Sequence, residues 1–71
     1  MGDTSAMIID PIRYMRRRRR LMQEAEEEAA YLRRRYGEEA HQAALEKLKR
    51  PDLTTWGRRV VTEAARRLEP A

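Results

Sequence analysis

The chain has 71 residues, no cysteine, and 16 basic residues against 12 acidic ones, a net charge of +4. That length holds one small domain, and its hydrophobic share of 41% includes three tyrosines, one tryptophan and no phenylalanine. Disulfides and thiolate metal sites are excluded, and a core this rich in alanine nets only about 3–5 kcal/mol unless a partner adds to it.

Charge is segregated along the chain. Residues 1–22 carry six arginines against two aspartates, and residues 23–46 carry seven glutamates against three arginines. Residues 47–71 return to seven basic against three acidic. Residues 1–9 read as a mobile tail ahead of a single helical domain over 10–71. No apolar run approaches the roughly 18 residues of a membrane span. The apolar patch Met7-Ile8-Ile9 precedes the charge, the reverse of a secretory leader. Position 6 is Ala, where a myristoylation signal needs Ser or Thr. The expected location is the cytoplasm.

The first helix is predicted over residues 11–36. Asp10 suits the N-cap, Pro11 the first helical position, and Ile9 stands where it can staple onto Tyr14. Nothing breaks the helix before Gly37, a favourable residue just past a helix end. At about 100° per residue, Tyr14, Leu21, Met22, Ala25, Ala29, Leu32 and Tyr36 share one stripe, with Met15 at its margin. Arg18 falls inside that stripe as a misfit. A second helix is predicted over 38–50, with Glu38 and Glu39 at its positive end and Lys47, Lys49 and Arg50 at its negative end. Its apolar face is thin: Ala40, Ala44, Leu45 and Leu48, plus His41. Pro51 stops it.

Asp52 or Thr54 can cap a third helix over about 53–69, and the sequence does not choose between them. Leu53, Trp56, Val60, Ala64 and Leu68 line one face of that helix, with Val61 flanking. Trp56, Val60 and Leu68 are its expected core anchors, and loss of a core Trp56 side chain costs about 3–5 kcal/mol. No segment alternates with the period of a strand. The expected fold is all-α: a long helix followed by two short ones, as a helical hairpin or a small three-helix bundle.

Two elements in the second half carry a resemblance: Tyr36-Gly37 followed by Ala40 and Ala44, then Trp56-x3-Val60-x3-Ala64-x3-Leu68. They resemble short uncharacterised proteobacterial all-helical proteins, which pair an aromatic-Gly-x2-Ala element with a Trp-led terminal helix. The resemblance covers the last half of the chain and implies a small bacterial helical protein without assigning a function. The arginine block departs from that pattern.

Catalysis is poorly served by these residues. The single serine (Ser5) lies in the tail, His41 is the only histidine, and the glutamates sit on solvated helix turns with no apolar site to tune them. His41 has Ala44 and Leu45 at the positions where a metal site would place a carboxylate, so it reads as a polar residue at a helix contact. No cofactor and no small-molecule substrate are expected.

The run Arg16–Arg20 fans around the whole helix circumference, which suits insertion into a groove better than a flat phosphate track. Together with Arg58, Arg59 and Arg66, the residues Arg16, Arg17, Arg19 and Arg20 form a candidate nucleic-acid surface. The acidic block beginning at Glu24 opposes that reading. Beside Ile8, Ile9 and Ile12 the same arginines suit reversible contact with an anionic membrane, a contact the acidic block also repels.

The leading expectation is therefore a non-enzymatic interaction protein: an accessory, adaptor or regulatory subunit that completes its core with a partner or with a second copy. Charge-driven nucleic-acid binding is the alternative. In the self-associated form the first helix pairs with itself, antiparallel, crossing at Met22. Arg16, Arg17, Arg18 and Arg20 then face Glu28, Glu27, Glu26 and Glu24, while Met15 meets Ala29, Ile12 meets Leu32, and Ile8 meets Tyr36. The same glutamates can instead dock the chain's own third helix.

Overall fold

The computed structural model describes residues 11–70. The expected N-terminal tail, the Asp10 cap and the Ile9 staple lie outside them. Among the described residues the fold is all-α. Helix α1 spans Pro11–Tyr36, a 3-10 turn spans Gly37–Glu39, α2 spans Ala40–Lys47 and α3 spans Thr55–Leu68.

Local rules set the boundaries. Gly37 adopts φ +59°, the left-handed conformation that lets the chain leave α1 without a Cβ clash. α2 is shorter than the predicted 38–50 at both ends. Its last turn tightens, with Lys49 N–H donating to the Glu46 carbonyl at 3.1 Å and Arg50 N–H to Lys47 at 3.2 Å. The residue before a proline is driven out of the helical region, so the chain opens at Arg50-Pro51. Thr54 takes the cap of α3: its Oγ1 accepts from Gly57 N–H at 2.9 Å.

The helices run up, down and up. Lys47 near the end of α2 meets Glu28 of α1, so α2 returns antiparallel. Trp56 meets Glu24 at one end of α3, and the Arg67 carbonyl meets Arg33 at the other. α3 is therefore parallel to α1. Of the two options left by the sequence, this is the three-helix bundle.

All three helices meet at the end where α1 turns into α2. There Leu32, Ala40, Ala44, Val61 and Ala65 form one buried cluster, flanked by Ala43, Leu48 and Leu68. Lower on the bundle, Leu21, Ala25, Ala29, Val60 and Ala64 are also buried. Six of the ten buried residues are alanine, so the core gains its contacts through close helix approach more than through large side chains.

Three expectations about faces change. Val61 and Ala65 join the core of α3, because that helix touches both α1 and α2 and its buried arc widens toward α2. Leu45 is exposed, and Ala43 packs in its place on α2. Of the named core anchors only Val60 is fully buried; Leu68 and Trp56 are half-buried.

Two positions named for the antiparallel α1 pair are covered within the chain: Ala29 and Leu32 are 0% and 2% exposed, because α2 and α3 fold back over that part of the stripe.

Candidate functional site

α1 is much longer than its neighbour. At 1.5 Å per residue its 26 residues reach about 39 Å, against about 21 Å for the 14 residues of α3. Since α3 begins beside Glu24, the first turns of α1 extend past the bundle. Every residue from Pro11 to Arg20 is exposed. We call this the open end, and the three-helix cluster the closed end.

Two of the seven stripe residues on α1 face solvent for this reason or for its mirror at the other end: Tyr14 is 53% and Tyr36 45% exposed. Ile12 and Met15, proposed for the self-association seam, are exposed on the open end, and Met22 is half-buried. The Arg18 misfit resolves in the same way. It stands on the line that carries Leu21, Ala25 and Ala29 inward, but beyond the point where α3 closes over it.

Three of the four glutamates in the central block form ion pairs within the chain. Glu28 accepts from Lys47 Nζ at 2.7 Å, in a pair whose side chains are only 18% and 30% exposed. Glu26 pairs with Arg67 Nε at 3.2 Å. The same guanidinium donates to the Glu63 carbonyl and contacts Met22 Sδ at 3.0 Å. Glu27 is exposed and takes only Gln23 at 3.5 Å. Within the chain, Glu26 meets α3 through Arg67 and Glu28 meets α2 through Lys47, while Arg66 pairs with Glu63 on its own helix.

Glu24 organises the open end. Its Oε1 accepts from the Trp56 indole Nε1 at 2.8 Å, and its Oε2 from Arg20 Nε at 2.8 Å. The indole hydrogen bond, and behind it the Arg20 guanidinium, hold the Glu24 carboxyl below the ordinary carboxylate range, against the opposing effect of desolvation. Arg20 also lies over the Trp56 ring, 5.9 Å from its centroid, within reach of a cation–π attraction. Trp56 is thus fixed in orientation while still reaching solvent.

Around it the remaining charge is positive. Among the described residues Arg13, Arg16, Arg17, Arg18, Arg19 and Arg59 form no ion pair. Arg58 donates to the Leu48 carbonyl at 2.8 Å, which ties α3 to the end of α2. Two hollows meet at Trp56 and Arg17. One, of about 410 Å³, is walled by Arg13, Arg16, Arg17, Arg20 and Trp56. The other, of about 50 Å³, is walled by Tyr14, Arg17, Arg18, Leu21, Trp56 and Arg59. Of the arginines named for nucleic acid, Arg16, Arg17, Arg20 and Arg59 line these hollows. Arg58 and Arg66 line a third along α3, together with Arg18, and Arg19 lines none of the three. Spacing places Tyr14 and Trp56 in packing stripes, while a lone tryptophan also fits a binding hot spot; Arg59, three residues after Trp56, is among the arginines beside it.

His41 is half-buried at the closed end, beside Arg33, Glu38 and Arg67. Among the described residues no group of three His, Asp or Glu side chains is placed to hold a metal, and no helix is long and apolar enough to cross a membrane. No protein-family model, curated protein or solved structure matches the chain.

Proposed function

We propose that this chain is a small non-enzymatic binding protein that grips a densely anionic partner with its open end. One observation carries the reading: six arginines there lack an acidic partner among the described residues, while three of the four glutamates in the central block are paired within the chain. Like charges held together without counter-charge raise the local potential and attract polyanions. The acidic block, which on sequence alone argues against such a partner, is largely neutralised before a partner arrives.

Retention on immobilised heparin tests this. Arg17→Glu/Arg18→Glu should elute at much lower salt than the parent chain. Arg34→Glu/Arg35→Glu, which makes the same charge change at the closed end, should elute close to the position its net charge sets. Equal losses from the two pairs would mean that net charge alone governs binding, and the assignment to the open end would fall.

A second reading rests on the exposed Tyr31 and Tyr36, 46% and 45% accessible beside a hollow of about 260 Å³ against α2. Aromatic side chains of this kind anchor protein partners, so an adaptor or regulatory subunit contact fits that face.

A further inference from the structure

We infer that the open end binds single-stranded nucleic acid, with a base stacked against Trp56 and the flanking phosphates held by Arg17, Arg18 and Arg59. The inference rests on the anionic-partner reading and narrows it to one class of ligand.

Trp56 is partly exposed, and the larger hollow beside it is walled otherwise by arginines. For an acidic peptide or a sulfated sugar the arginines alone supply the charge contact. An unpaired base uses the indole wall as well, because every base offers a π-face, and such stacking is tolerant of sequence. The ring is already oriented, since Glu24 holds its N–H, so little side-chain freedom remains to be lost on binding.

α3 runs parallel to α1 and starts at Thr55, capped by Thr54, so its positive end points along the overhanging turns of α1. The smaller hollow lies there, with Arg17, Arg18 and Arg59 converging on it. Guanidinium forks match phosphate oxygens in geometry as well as in charge. Among the described residues no carboxylate lines either of these two hollows, and that of Glu24 beside them is engaged by both Arg20 and Trp56.

The arginines wrap an overhanging helix while the aromatic wall stands to one side, in a recess against α3. Paired bases inside a duplex cannot reach a recessed indole, whereas a flexible strand can turn a base toward it.

Trp56 is the only tryptophan in the chain, so its emission reports the site directly. An oligothymidylate of about 12 nucleotides should quench that emission, and its affinity should fall steeply with salt. It should bind more tightly than a duplex of the same length or a polyglutamate peptide of similar charge. Trp56→Leu, checked for retained helicity, should weaken binding of a labelled oligothymidylate about tenfold. Arg17→Gln/Arg59→Gln should weaken it as well and flatten the salt dependence.

Binding without quenching, or unchanged binding by Trp56→Leu, would overturn the stacking proposal and leave the anionic-partner reading standing. Preference for duplex or polyglutamate would do the same. Failure to bind any of these probes, together with no retention on heparin, would remove both.

Discussion

The two ends of the bundle use the same helices for opposite purposes. At the closed end three helices converge, and Leu32, Ala40, Ala44, Val61 and Ala65 leave little surface to solvent. At the open end α1 continues alone, and its arginines and Trp56 surround hollows instead of filling them. Stability is concentrated where side chains are small and apolar. Binding capacity is concentrated where the packing stripe outruns its neighbour. Length mismatch between α1 and α3 is what separates the two roles.

Damage to each end in turn should have unequal consequences. Leu32 is one of only two buried leucines and sits where all three helices meet. Leu32→Ala should cost about 2–5 kcal/mol. A core this small nets about the same amount in total, so the variant should lose most of its helicity at room temperature. Circular dichroism and urea unfolding measure this. A loss below about 1 kcal/mol would place the core elsewhere.

The corresponding change at the open end is Trp56→Ala. A half-buried indole forfeits about half the usual burial term and one hydrogen bond, together about 2 kcal/mol. That is below the roughly 3–5 kcal/mol of a core aromatic, and the variant should stay folded with a lowered urea midpoint. A loss as large as that of Leu32→Ala would make the two ends energetically equivalent and remove the distinction drawn here.

These particulars also show what the sequence makes legible. Pro11 and Gly37 act through local backbone chemistry, so both ends of α1 can be read from the sequence, whereas α2 is shorter than predicted and the cap of α3 stays open between Asp52 and Thr54 until the structure chooses Thr54. The periodic stripe, equally local, identifies Leu21, Ala25, Ala29 and Leu32. A helical wheel fixes which side of a helix faces inward but not how far along the axis its neighbour extends. That is why Tyr14 is read as a packing residue and Arg18 as a misfit in the stripe, and why Trp56 is read as a core anchor. The antiparallel α1 pair meets competition on a related ground: charge complementarity between Arg16–Arg20 and Glu24–Glu28 is visible in sequence, but Lys47 and Arg67 lie within the same chain and meet two of those glutamates. Local rules carry across; competition between long-range partners does not.

The smallest expected effect sharpens the open end without disturbing the closed one. Glu24 is held below its ordinary value of 4.5, first by the Trp56 indole N–H and then by Arg20. A carboxylate with a depressed pKa in the folded state contributes stability that is fully present above the unfolded value. The contribution is lost as the pH falls through the folded value. Protonation removes the charge from the acceptor of both hydrogen bonds, so the indole loosens and its emission should change in a step lying below pH 4.5. Far-UV circular dichroism should hold steady through that step, because the core residues do not titrate. Glu24→Gln supplies the control: its side-chain carbonyl still accepts from the indole, yet it has no proton to gain, so the step should vanish while the emission at neutral pH stays close to that of the parent chain. A step that persists in Glu24→Gln would assign the titration to another group. A step centred above 4.5 would mean that desolvation outweighs the indole and Arg20, and that Glu24 does not orient the ring.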